Sequence, residues 1–287
     1  MKCVSFGSVA VSLYTLTISA AIGLTSPSVT EKPSADKVLQ MLSAGNANFA
    51  KGTLTHPFTD RERVKLAANS NQGNYAVATI ISCSDSRVPV EYIFDSGLMN
   101  LFVVRVAGNV CNTDEIGSAE YGVCHVNTPV LIVLGHSQCG AVTAVAQTVM
   151  GHGHAMEENI LPLVAPIVPA VESVLAAFPQ VTVENLITRS VEANVWQGIE
   201  QLFTRSPAIR AKAVSGQVSV VGAIYDLETG LVRWLPKEKV AALLSKATAG
   251  PASSAEKEEA PTGAHATQNA AQPEPSPAPS AHVPSGH

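Results

Sequence analysis

Four runs of mostly apolar residues constrain this chain more than anything else in it. They are YAVATIISC (75–83), LFVVRVAG (101–108), PVLIVLGH (129–136) and VSVVGAIYD (218–226). Three are continuous rather than alternating. A strand with one wet face alternates apolar and polar residues, whereas a continuous run fits a strand covered on both faces. Helical patterns lie between the runs: GSAEYGVCHV (117–126), GAVTAVAQTVM (140–150) and VEANVWQGIEQLFTRSPAIRAKAVSG (191–216). Strands that alternate with helices form a parallel sheet with helices on its faces. The expected fold is α/β, with a central, mostly parallel sheet of four to five strands flanked by helices. The fifth strand would be ETGLVRWLP (228–236), reached through a turn at Glu228-Thr229-Gly230. An N-terminal helical arm precedes the sheet, one helix capped by Ser34 and a second by Thr59 or Asp60.

The ends of the chain read differently. Met1-Lys2 is followed by CVSFGSVAVSLYTLTISAAIGL, an uncharged apolar run with small residues near its end. That is the pattern of a secretory signal over residues 1–26, and the alternative is an uncleaved membrane anchor. Its Gly, Ser and Thr content favours the signal, with a periplasmic destination ahead of an extracellular one and no membrane attachment after cleavage. From residue 247 onward the chain is rich in Pro, Ala, Ser, Glu and His. Such a stretch cannot bury enough surface to offset its ordering entropy, so 247–287 is expected to be a disordered tail. The catalytic domain then covers 27–246. With 46% apolar residues the chain can build a sizeable core, and its net charge of −5 and scattered Lys and Arg exclude a nucleic-acid binder. Five cysteines, an odd and sparse set, do not make a disulfide framework.

The chemistry concentrates at two strand ends. The first run closes on Cys83, followed by Asp85 and Arg87, and the third closes on His136, with Cys139 three residues on. Ligands of open parallel sheets gather outside the carboxyl ends of the strands, so both fragments point to one edge. If those strands are neighbours, Cys83, His136 and Cys139 form a Cys₂His set with one open position, which suits a catalytic zinc. Gly135 and Gly140 suit a tight turn there, and a helix beginning near Gly140 favours thiolate. Each residue alone has a plainer reading: Cys83 and Cys139 as a disulfide, His136 as a core histidine, Asp85 and Arg87 as a surface ion pair. The metal reading joins them all. The pair His152 and His154 reads as part of a flexible loop, and Cys111 and Cys124 read as structural thiols with a disulfide as the alternative.

These residues closely resemble the β-class carbonic anhydrases. The family's C-x-D-x-R stands here as Cys83-Ser84-Asp85-Ser86-Arg87 and its H-x-x-C as His136-Ser137-Gln138-Cys139. The likeness runs from about Leu39 to Leu235 and takes in GNANFAKGTLTHP, LFVVRVAGN, GSAEYGV, LGHSQCGAV, NVWQGIEQL and VVGAIYDLETG. It implies one Zn²⁺ per chain and reversible hydration of CO2 to bicarbonate and a proton through a zinc-bound hydroxide. It also implies a homodimer or higher homo-oligomer. The zinc ligands would be Cys83, His136 and Cys139. Asp85 and Arg87 would be the catalytic dyad, with Asp85 a ligand only in a closed form. Two other functions fit the same residues: a hydrolase of CO2 analogues such as carbonyl sulfide or carbon disulfide, and a non-catalytic zinc-binding or redox-sensing module. Many relatives carry Gln where Asn74 stands, near the substrate pocket. Tyr92, Tyr121 and His125 are candidates for proton transfer.

Overall fold

A computed structural model describes residues 32–249. The signal at 1–26, and the tail from residue 250 on, lie outside the described residues. Five strands form one sheet: β1 (Ala78–Ser82), β2 (Leu101–Arg105), β3 (Val130–His136), β4 (Ser219–Tyr225) and β5 (Val232–Trp234). Their order is β2-β1-β3-β4-β5, with β1 to β4 parallel and β5 antiparallel on β4. The helices are α1 (Ala35–Ala50), α2 (Arg61–Asn69), α3 (Val90–Ile93), α4 (Thr113–Cys124), α5 (Gly140–Val149), α6 (Ile160–Val164), α7 (Val168–Ala177), α8 (Val183–Arg205), α9 (Pro207–Val214) and α10 (Lys237–Ala249).

The continuous runs behave as expected for covered strands. Every residue of β1 and β3 is buried, and so is all of β4 after Ser219. Alternate residues serve two cores. Ile81, Leu131, Val133, Val220 and Ile224 meet α4, α5, α7, α8, α9 and α10 on one face. Ile80, Ile132, Leu134, Val221 and Ala223 meet Val38 and Leu42 of α1 and Val90 and Ile93 of α3 on the other. β2 differs because it is an edge strand, and its Leu101–Val104 stay half-exposed.

The arm is built as its capping residues indicate. Ser34 accepts from the Lys37 amide and Asp60 from the Arg63 amide. Strand lengths are shorter than the apolar runs that announce them. A 3₁₀ turn at Gln72–Asn74 delays β1, and another at Ala107–Asn109 ends β2. Helix α10 continues to Ala249, three residues into the stretch expected to be disordered, because Leu243, Leu244 and Ala247 pack on the larger core. The segment Ile160–Ala177 is apolar and long enough to cross a membrane by composition and length. Here its Val164, Ile167, Ala170, Val171 and Val174 are buried in the protein.

Candidate metal centre

The pairing of β1 with β3 decides the site. Ser82 stands opposite Leu134, so Cys83, the next residue, emerges beside the end of β3 where His136 sits. Cys139 follows as the N-cap of α5. The turn between His136 and Cys139 does not rely on the glycines that flank it. Gln138 takes the left-handed conformation at φ 55°, and Gly140 has open space around a Cβ position. Gly135 matters for packing instead, since a Cβ there would stand 2.7 Å from Val195 Cγ2 on α8.

The ligand atoms of Cys83, His136 and Cys139 lie within 4.8 Å of one another, and the three residues are 4%, 0% and 1% exposed. His136 Nδ1 is 2.9 Å from the carbonyl of Ser137. A carbonyl only accepts, so Nδ1 carries the proton and Nε2 presents its lone pair. That Nε2 is buried with no hydrogen-bond partner among the described residues. An orphaned acceptor facing two sulfurs is costly unless a cation fills the space.

The thiols need the same cation. Cys83 is drawn down to about 4 by the Cys139 thiol, against burial, with help from the Gly108 and Asp85 amides. Cys139 is pushed far up by the same contact with Cys83 and by burial, although the Val142 and Ala141 amides at the start of α5 oppose this. A divalent ion lets both be thiolates. Two thiolates, a neutral imidazole and a buried pocket fit zinc.

Asp85 stands just outside this cluster, its Oδ2 4.0 Å from His136 Nε2. Arg87 grips it: Nε donates to Oδ1 at 2.9 Å, Nη2 to Oδ2 at 2.7 Å, and the Arg87 amide to Oδ1 at 2.9 Å. These bonds, the side-chain ones first, hold the Asp85 carboxyl well below the usual carboxylate range, against the opposing effect of burial. Arg87 Nη2 also donates to the Gln138 carbonyl at 3.1 Å, tying the two ligand-bearing turns together.

Two contributors lie within LFVVRVAGN, a stretch that shares in the resemblance but that the reading of the residues gave no role. The Gly108 amide donates to Cys83 Sγ at 3.3 Å, and Gly108 itself is placed by Asn194 Nδ2 on α8. Arg105, at the end of β2, reaches the Cys83 and Asp85 carbonyls.

Other candidates fall away from the centre. Asn74 is exposed in the turn before β1, at the sheet edge opposite Cys83. Tyr121 and His125 pack ring against ring at the end of α4, with Tyr121 stacked on Phe102 at the start of β2, on that same far edge. Tyr92 is exposed and packs edge-on against His56. His152 and His154 lie in irregular chain and join no metal cluster among the described residues. Cys111 and Cys124 are free thiols at opposite ends of α4, about 18 Å apart by helical rise and too far to bridge. Burial lifts the Cys111 thiol to about 12, as befits an inert core group. Cys83 and Cys139 are free as well.

Comparison with known proteins agrees with this geometry. The carbonic anhydrase family profile matches residues 78–232. Carbonic anhydrase 2 of Mycobacterium tuberculosis is 35% identical over 190 residues, which span 66% of this chain and 87% of the relative. The crystal structure of the β-carbonic anhydrase CafA of Aspergillus fumigatus superposes with a TM-score of 0.56 at 25% identity, covering 74% of this chain and 98% of that one. The β-carbonic anhydrase CcaA does so with a TM-score of 0.53 at 27% identity, covering 69% of this chain and 95% of CcaA. The likeness takes in the sheet and both ligand-bearing turns, and the chain belongs to the β-class carbonic anhydrase family.

Proposed function

We infer that this chain catalyses the zinc-dependent, reversible hydration of CO2 to bicarbonate and a proton. One observation carries the reading: a buried three-donor cluster shares its sheet edge with a carboxylate that an arginine holds beside it. Cys83, His136 and Cys139 would hold the zinc, which would supply Lewis acidity and bring the acidity of water near neutrality. The chain's own residues do the rest. Asp85, kept ionised by Arg87, is purely an acceptor, so it orients a water molecule by taking one of its hydrogen bonds. Arg87 occupies both carboxylate oxygens, which opposes a shift of Asp85 onto the cation. A lysine, a point charge, would not make that two-pronged grip. Exposure rises outward from His136 through Asp85 at 17% to Arg87 at 50%, so the carboxylate stands between the dry cluster and solvent, on the proton's way out.

The test is stopped-flow CO2 hydration by the purified full chain, with its zinc content measured in parallel. Rapid hydration with about one zinc per chain, lost in Cys83→Ser, is the expected result. Background hydration together with turnover of carbonyl sulfide would overturn the reading in favour of an analogue hydrolase.

We also propose a homodimer or higher homo-oligomer. The outer side of β2, which pairs with no strand among the described residues, the half-exposed Leu101–Val104 and the exposed Tyr92, Leu98 and Tyr121 support it. Light scattering after gel filtration tests it, and a monomer would refute it. Export to the periplasm rests on the composition of residues 1–26. N-terminal sequencing of the protein from cell fractions checks this, and an intact Met1 in the cytosolic fraction would count against it.

A further inference from the structure

Strand β2 sends one side chain across its neighbour to the metal centre. Arg105 is the last residue of β2 and pairs in register with Ser82, the residue before the first ligand. Its Nε donates to the Cys83 carbonyl at 3.0 Å and its Nη2 to the Asp85 carbonyl at 2.6 Å. A guanidinium is a rigid planar fork, so gripping two carbonyls fixes the two peptide planes relative to each other. Those planes carry the first sulfur ligand and the carboxylate.

The backbone of the same turn is pinned at its start by the ladder, where Val106 donates to Ser82 and Ser84 donates to Val106. Beyond Ser84 the ladder ends, and Arg105 continues the restraint with its side chain. The turn is thus held from two directions. Arg87 acts on the Asp85 carboxylate and on Gln138, and Arg105 acts on the main chain beneath it.

We propose that Arg105 is a positioning residue of this centre: its two-carbonyl grip sets the distance between the Cys83 sulfur and the Asp85 carboxylate. Its hydrogen bonds to the centre go to the Cys83 and Asp85 carbonyls, so it acts through the peptide groups. Outer groups of this kind cost about 10- to 100-fold in activity or metal affinity when removed. The kinetic part rests on the CO2-hydration reading; the spectroscopic part does not.

The experiment compares the full chain with Arg105→Ala and Arg105→Lys, each loaded with zinc for kinetics and with cobalt(II) for visible absorption. Arg105→Ala is expected to bind one metal per chain, to show an altered cobalt spectrum, and to lose about 10-fold or more in turnover per bound metal. The KM for CO2 should change little, because no substrate contact is removed. Added guanidinium ion should restore part of both signals, and Arg105→Lys should fall between, since an ammonium cannot span both carbonyls. A cobalt spectrum and turnover per metal equal to those of the unsubstituted chain would overturn the proposal, with any loss confined to melting temperature marking a merely structural bond. Should Arg105→Ala fail to fold, Arg105→Lys decides by the same two readouts. Should the unsubstituted chain fail to hydrate CO2, the reaction falls, while the cobalt spectra still decide the role of Arg105.

Discussion

Gly108 offers the sharpest quantitative test of how the metal centre is supported. It sits at φ 75°, ψ 14°, in the left-handed region, in the turn that follows β2. Its amide reaches Cys83 Sγ, and its carbonyl accepts from Asn194 Nδ2 at 2.8 Å. A Cβ at this position would lie 2.7 Å from Ile167 Cδ1 and 3.0 Å from Ala141 Cβ. Two costs follow for Gly108→Ala. The left-handed conformation costs an L-residue about 1–2 kcal/mol. Forcing a methyl against the fully buried Ile167 adds about 1–3 kcal/mol. The sum is about 2–5 kcal/mol. The clash can be separated from the strain, because Ile167→Val deletes the very atom struck. Alone, Ile167→Val should cost about 0.5–1.5 kcal/mol. Combined with Gly108→Ala it should cost less than the sum, by a coupling of about 1–2 kcal/mol. Urea unfolding of the zinc-loaded proteins, followed by tryptophan fluorescence, measures all four corners of the cycle. Zinc retention against a chelator measures the displaced Cys83 hydrogen bond, with an expected loss of about 10-fold in affinity. A Gly108→Ala protein within about 0.5 kcal/mol of the parent, or a strictly additive double variant, would refute the reasoning.

Asp85→Asn keeps the shape of the carboxylate but adds a donor and removes the charge, so turnover should fall about 10²–10⁴-fold while zinc stays bound; unchanged turnover would remove Asp85 from the mechanism. Stripping zinc with a chelator should lower the melting temperature and restoring it should reverse the drop, with a stabilisation of about 4 kcal/mol at a thousandfold excess over Kd. Cys139→Ser should be insensitive to both treatments, and a zinc response in that variant would argue against Cys139 as a ligand. Asp95 accepts from Asn48 Nδ2, from the Thr55 amide and hydroxyl, and from the His56 amide, pinning the loop after α1. Burial raises its pKa, but these donors outweigh burial and leave it depressed. A depressed carboxylate contributes its stability in full above the unfolded value of about 4, and loses it as pH falls through the folded value. Asp95→Asn should therefore cost about 1–3 kcal/mol at neutral pH, a difference that shrinks on acidification below that window. An equal difference in neutral and acid urea melts would rule this out.

Much of this protein is written locally in its residues. Continuous apolar runs specify covered strands because a strand with two dry faces has nowhere to put polar side chains, and β1, β3 and β4 follow that rule. The ligands Cys83, His136 and Cys139 are recognisable because the two motifs together place three soft-to-borderline donors at the ends of buried strands, and Ser34 and Asp60 cap helices by chemistry confined to one turn. Tertiary structure decided whatever depends on which strands adjoin. The order β2-β1-β3-β4-β5 brings Cys83 to His136, and it alone brings Arg105 and Gly108 of the β2 end to the same turn. Asn74, Tyr121 and His125 lie at the far edge because each precedes a parallel strand, whereas the ligands stand at or just after strand ends. Side-chain period and composition report whether a residue is buried. They carry no record of its neighbour across the ladder, because backbone hydrogen bonds make that pairing and every residue except proline offers the same ones.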